Sequence, residues 1–182
     1  IISLNYKGNM IREYFADGSG FGVSIEYIEE DKSLGTAGSL RLLPKIQNSH
    51  PLIVMNGDVL TKVNFGHLLD FHASNNSKAT MGVSEYNFQV PYGVLKLDRH
   101  RIVEIEEKPN HIFFVNAGIY VLDQDVLNCL PGQERFEMPN LFEQLIKVGH
   151  HTAAFPIREY WLDIGQPDNL KQAHSDFKDV FE

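Results

Sequence analysis

Pro51 to Leu60 reads PLIVMNGDVL. Four apolar residues, Leu52 to Met55, run directly into Asn56-Gly57-Asp58. A short apolar run bounded by turn residues predicts a strand of the buried, parallel-sheet type. Such a strand has no packing reason to end on a carboxylate. In open α/β sheets, however, ligands sit beyond the carboxyl ends of strands, and Gly57 lets another group approach the backbone closely. A carboxylate at such a tip can hold Mg2+, which takes one or two carboxylates and completes its shell with phosphate and water. It can equally cap the turn after the strand. This stretch alone leaves both readings open.

The flanking sequence gives the fold class. GNMIREYF (8–15) has helical spacing, with Met10, Ile11, Tyr14 and Phe15 on one face. VSIEYIEE (23–30) alternates and predicts a strand with one wet face. SLGTAGSLRLLP (33–44) reads as a glycine-containing loop opening a short helix, and Asn64 reads as the N-cap of FGHLLDFHASNN. ATMGVSEY (79–86) is the next strand. The order β-α-β-α-β-α-β favours a mostly parallel sheet covered by helices. PYGVLKLD, RIVEIEEKP and FFVNAGIYVLD follow as strands joined by short turns, then a helix in PNLFEQLIKVG and a strand in TAAFPI. YWLDIGQPDNLKQAHSDF gives a short strand, a turn and a last helix, opened by Gln166-Pro167. No repeat or Ser/Pro linker interrupts the chain, so one α/β domain with an antiparallel insertion is expected over 1–182.

The totals narrow the partners. The 182 residues carry a net charge of −8, which disfavours a nucleic-acid scaffold or an anionic membrane surface. No apolar run approaches the ~20 residues of a membrane span, and no signal peptide is visible. Cys129 is the only cysteine, which fits a reducing, cytoplasmic setting.

Several further stretches can carry chemistry. Asp163 in YWLDIG repeats the pattern of Asp58, a carboxylate ending an apolar segment before a glycine turn; it could be a helix-junction cap or a second ligand to one cation. Glu106-Glu107-Lys108-Pro109 ends a strand, with Pro109 biasing Lys108 toward extended backbone. Lys108 suits a phosphate and Glu107 suits hydroxyls, although such runs are commonly solvated charge clusters. Gly35 and Gly38 flank Thr36-Ala37 and could present backbone N–H groups to a ligand, or simply cap a helix. NAGIY (116–120) reads as a strand with a glycine where another group can press close; Asn116 offers a donor and an acceptor to a ligand, although a buried amide bonded to backbone is the plainer reading. The eight histidines show no ligand spacing.

Taken in order, LGTAGSL, VMNGD, PYGVL, EEKP, VNAGIYVL and YWLDIGQPDNL resemble the sugar-1-phosphate nucleotidylyltransferases, nearest their mannose-1-phosphate guanylyltransferase-like branch, which includes members carrying CBS regulatory domains. The resemblance runs from NYKGNMIREYF to the last helix. It implies a Rossmann-like, mostly parallel sheet with helices on both faces and an antiparallel insertion. It implies formation of an NDP-sugar and pyrophosphate from an NTP and a sugar 1-phosphate, GTP and mannose 1-phosphate being the expected pair. Asp58 and Asp163 are then the Mg2+ ligands, and with Lys108, at the sugar phosphate, the catalytic set. Gly93, Glu107 and Asn116 would meet the sugar, and Gly35, Thr36 and Gly38 the nucleoside. The family's glycine-rich phosphate loop has no counterpart here, so the chain is expected to be N-terminally truncated and weak or inactive alone. A homo-oligomer, or a CBS or other regulatory domain outside this stretch, is compatible with the resemblance. Two rivals remain: another NTP and sugar pair, using UTP, CTP or dTTP, and a non-catalytic nucleotide-sugar-binding subunit.

Overall fold

A computed structural model of the chain describes residues 1–44, 49–132, 134–165 and 167–181. Its elements are β1 (Ile2–Leu4), α1 (Gly8–Phe15), β2 (Tyr27–Glu29), α2 (Gly35–Gly38), β3 (Leu52–Met55), β4 (Val59–Thr61), α3 (Phe65–Ser74), β5 (Ala79–Gln89), β6 (Gly93–Asp98), β7 (Arg101–Glu107), β8 (Asn110–Leu122), α4 (Met138–Lys147), β9 (Thr152–Pro156), β10 (Trp161–Asp163) and α5 (Pro167–Phe181). The architecture is mixed α/β with a mostly parallel sheet, as the element order predicts. Pro167 opens α5 as expected, while Gln166 lies outside the described residues. The chain divides into two compact units. One comprises Ile1–Leu52, Asn76–Ala79 and Leu122–Thr152; the other comprises Ile53–Asn75, Thr80–Val121 and Ala153–Glu182.

In the first unit β1 pairs with β2 in parallel, Ile2 opposite Tyr27 and Leu4 opposite Glu29. A parallel pair needs a crossover, and α1 supplies it. Arg12 of α1 reaches Glu29 at 2.6 Å and lies over the ring of Tyr27. The apolar face expected on α1 is largely wet: Met10 is 63% and Tyr14 70% exposed. The strand expected from Val23 begins only at Tyr27. The N–H groups of Val23 and Ile25 bond back to the carbonyls of Gly18 and Asp17, so local turn bonds displace the ladder there. α4 buries Met138, Leu141, Phe142 and Leu145, the i, i+3, i+4, i+7 face of an amphipathic helix.

The second unit is built on a four-stranded sheet with the order β3-β8-β5-β9. Val63, Leu68, Ala117, Ile119, Val121 and Ile157 form its core, with Val59, Leu69, Phe155 and Trp161 packed against it. Asn64 caps α3, its side chain accepting the His67 N–H at 3.1 Å, as the sequence predicts. His72 on α3 meets Thr80 of β5 at 2.8 Å inside the core. β6 and β7 form an antiparallel hairpin, and β4 pairs with β10.

A third expectation is corrected. β3 reads as buried on both faces, yet Leu52 and Val54 are half-buried while Ile53 (41%) and Met55 (40%) are exposed. β3 stands at the edge of its sheet, and the face that Ile53 and Met55 share is partly open to solvent.

Candidate functional site

In the second unit, the β4–β10 pairing brings Asp58 and Asp163 together. Asp163 lies opposite Val59 in the ladder, and the Ile164 N–H bonds to the Asp58 carbonyl at 2.8 Å. Both side chains are exposed. Gly165 stands between them. A Cβ at this glycine would lie 3.1 Å from Asp58 Oδ2 and 3.1 Å from Asp163 Oδ1. The two oxygens therefore lie no farther apart than twice that distance, facing one gap that glycine keeps empty. The Gly165 N–H donates to Asp163 Oδ1 at 2.8 Å, and Asn169 Nδ2 donates to the Asp163 carbonyl at 2.7 Å. Among the described residues no donor reaches the Asp58 carboxylate. Gly57 faces open space rather than a close neighbour.

The hairpin gathers a second group. Gly93 and Glu107 are cross-strand partners, and Glu107 Oε2 lies 2.9 Å from where a Gly93 Cβ would stand. Lys108 follows the last residue of β7 and adopts φ 49°, in the left-handed region. That corrects the extended backbone expected before Pro109. Two bonds hold this turn: the Val90 N–H to the Pro109 carbonyl at 3.0 Å, and Gln89 Nε2 to the Lys108 carbonyl at 3.4 Å. A non-glycine residue in this conformation costs of order 1–3 kcal/mol, and such positions cluster at functional sites.

Asn116 uses both ends of its amide. Its oxygen accepts the Gly118 N–H at 3.0 Å and its nitrogen donates to the Tyr120 hydroxyl at 2.8 Å. Gly118 has φ +71°, and the group pressing on it is Asn56, whose Nδ2 lies 2.9 Å from the missing Cβ. Asn56 in turn donates its backbone N–H to the Gly118 carbonyl at 2.8 Å, and Trp161 Nε1 donates to the Ala117 carbonyl. The stretch NGD is thus anchored by NAG, directly ahead of Asp58.

In the first unit, Gly35, Thr36 and Gly38 are themselves helical, forming α2 rather than a loop before it. Three N–H groups of the turn, those of Thr36, Ala37 and Gly38, are already engaged. The Ala37 and Gly38 N–H groups both donate to the Phe136 carbonyl at 3.0 Å, and the Thr36 N–H donates to Glu137 Oε2 at 2.9 Å. The expectation that this turn offers those three donors to a ligand is therefore corrected. Arg135 Nε donates to Glu137 Oε1 at 2.8 Å. The Thr36 N–H, then Arg135, hold the Glu137 carboxyl below its ordinary pKa.

A family model for nucleotidyl transferases matches residues 1–180. The chain belongs to the nucleotidyl transferase family. A mannose-1-phosphate guanylyltransferase of Mycobacterium tuberculosis is 30% identical over 97% of this chain and 50% of its own length. A mannose-1-phosphate guanyltransferase of Pichia angusta is 32% identical over 93% of this chain and 49% of its own. The chain thus spans about half the length of the curated relatives it matches. The crystal structure of HddC from Yersinia pseudotuberculosis superposes with a TM-score of 0.69 at 25% identity, covering 96% of this chain and 76% of that one.

Three residues that matter to the geometry are not announced as such by the sequence. Gly165 carried a local signal: an Asp two positions before a glycine invites the N–H-to-carboxylate turn seen here. Asn56 looks like a turn residue in sequence, because its partner Gly118 is remote. Glu137 had no local signal, because its partner Thr36 lies in a distant segment.

Proposed function

We propose that the full-length protein joins an NTP to a sugar 1-phosphate, releasing pyrophosphate, with GTP and mannose 1-phosphate as its pair. The observation that carries this reading is the gap at Gly165, faced by one oxygen each of Asp58 and Asp163. The names of the relatives support the choice of substrates.

Two carboxylates around an open gap fit Mg2+, which needs one or two and takes phosphate and water for the rest. Asp58 and Asp163 would hold it, and bound there it would neutralise charge on the reacting phosphates. The rest falls to the chain. Lys108 neutralises the sugar phosphate, Glu107 accepts from sugar hydroxyls, and the absent side chain at Gly93 leaves room beside Glu107. One oxygen of the sugar phosphate bonds to the α-phosphorus while the α–β bridging bond breaks. Pyrophosphate departs with that electron pair. The attacking phosphate is already ionised, so no general base is required. Alignment of the two substrates supplies about 7–11 kcal/mol in favourable cases.

The test is pyrophosphate release by the full-length protein with Mg2+, screening GTP, UTP, CTP and dTTP against mannose and glucose 1-phosphates. GTP with mannose 1-phosphate should be fastest. Binding of nucleotide-sugar with no release from any pair would replace this reading with a non-catalytic one.

A further inference from the structure

We propose that Glu137 is a positioning residue that fixes the Gly35–Gly38 turn in the shape needed for nucleoside recognition; the nucleoside role of that turn rests on the function proposed above. Two distant segments of the first unit cap each other. Glu137 Oε2 accepts the Thr36 N–H at 2.9 Å and the Thr36 hydroxyl at 3.0 Å, while that hydroxyl oxygen accepts the Met138 N–H at 2.8 Å. Thr36 thereby serves the first turn of α4 as Glu137 serves the first turn of α2. This is the logic of a capping box divided between two segments.

The glycines of the turn fit this contact closely. Gly35 sits at φ +78°, and a Cβ there would meet the Phe136 carbonyl at 2.7 Å and Glu137 Oε1 at 2.9 Å. A Cβ at Gly38 would meet the Glu134 carbonyl at 3.1 Å. The 134–137 segment therefore requires glycine at 35 and packs tightly against Gly38. With the Phe136 N–H donating to the Leu34 carbonyl at 2.7 Å, the turn is bonded to that segment in both directions.

Glu137 itself is poorly placed to bind substrate directly. One of its oxygens holds Thr36 and the other holds Arg135 Nε. Thr36, by contrast, is exposed. The effect of Glu137 on a nucleoside must pass through the turn, so it should alter NTP affinity and leave the chemical step alone.

The experiment uses the full-length protein with Glu137→Ala, Glu137→Gln and Arg135→Ala. Glu137→Ala should raise KM for the NTP about tenfold or more, as expected for losing charged hydrogen bonds. KM for the sugar 1-phosphate and kcat should stay within about twofold. Glu137→Gln keeps one acceptor and should recover part of the loss. Amide hydrogen exchange read on the same proteins should quicken at Thr36–Gly38 in Glu137→Ala and stay unchanged in β5 and β8. If Glu137→Ala does not fold, Arg135→Ala carries the test with a smaller rise in KM. Faster exchange with unchanged KM for the NTP overturns the recognition role, as does an equal loss in every kinetic constant. If the wild type turns over no pair, the proposed reaction fails and not the latch; unchanged exchange at Thr36–Gly38 would sink the latch itself.

Discussion

Glu137 in the first unit and Asp58 in the second are both carboxylates beside a glycine-containing turn, yet their surroundings differ in kind. Glu137 accepts from Thr36 twice and from Arg135 once, and its pKa is lowered by those donors. Among the described residues no donor reaches the carboxylate of Asp58, although its backbone is held by Asn56–Gly118 and Ile164 bonds. Asp163 lies between these extremes, with one oxygen bonded by Gly165. A carboxylate surrounded by protein donors holds protein in place. A carboxylate whose backbone is fixed while one oxygen faces an open gap is left available, as the proposed cation role requires.

The largest effect expected from that difference is on turnover. In the full-length protein, Asp58→Asn should lower kcat on the order of a hundred- to thousandfold, the scale of removing one preorganised electrostatic group. Stability should change by no more than about 0.5 kcal/mol, because the side chain is exposed. Steady-state kinetics beside thermal melting measures both. Wild-type turnover in Asp58→Asn would erase the distinction between the two carboxylates.

Next comes the anchor behind Asp58. Gly118→Ala forces φ +71° on a residue with a Cβ and drives that carbon to 2.9 Å from Asn56 Nδ2. It should cost about 1–3 kcal/mol, visible as a melting temperature lower by several degrees. An unchanged melting temperature would mean the NGD turn is not held by NAG.

A smaller and more specific effect belongs to Gly165. Its φ is not in the left-handed region, so Gly165→Ala tests the gap rather than the backbone. The new methyl carbon would stand 3.1 Å from both carboxylates. Titration with Mn2+ as a spectroscopic stand-in should show affinity weakened by about tenfold, near 1.4 kcal/mol. Unaltered Mn2+ affinity would move the cation away from this gap.

How much of this was legible beforehand depends on the range of each interaction. The element order followed from periodicity and turn residues, and Asn64 was readable as a cap because its partner, His67, is three positions away. The two aspartates could be singled out as strand-end carboxylates, but their convergence depends on the β4–β10 ladder, which no local pattern announces. Lys108 was expected to be extended because the preference before proline is local; bonds from Gln89 and Val90 override it. The glycines of the Gly35–Gly38 turn are visible in the sequence, but the segment they pack against lies at 134–137, and no local pattern announces that contact. The wet face of β3 was hidden for a related reason: its composition reports only that it is apolar, not which side meets a neighbour.

The smallest effect concerns pH, and its sign follows from the same comparison. The folded pKa of Glu137 lies below its unfolded value, chiefly through the Thr36 N–H and then Arg135. A group with a depressed folded pKa contributes stability that is fully present above its unfolded pKa, about 4.3 for Glu. That contribution is lost as pH falls through the folded pKa, because the protonated carboxyl no longer accepts both Thr36 donors as an anion. Wild type should therefore exceed Glu137→Gln in stability at pH 6 and converge on it in more acidic solution. Side-by-side denaturant unfolding of the full-length protein and the variant across that range reads the difference directly. A gap that stays constant with pH would show that the Glu137 charge adds nothing to the latch. A gap that widens on acidification would reverse the sign and place the donors around Glu137 on its neutral form.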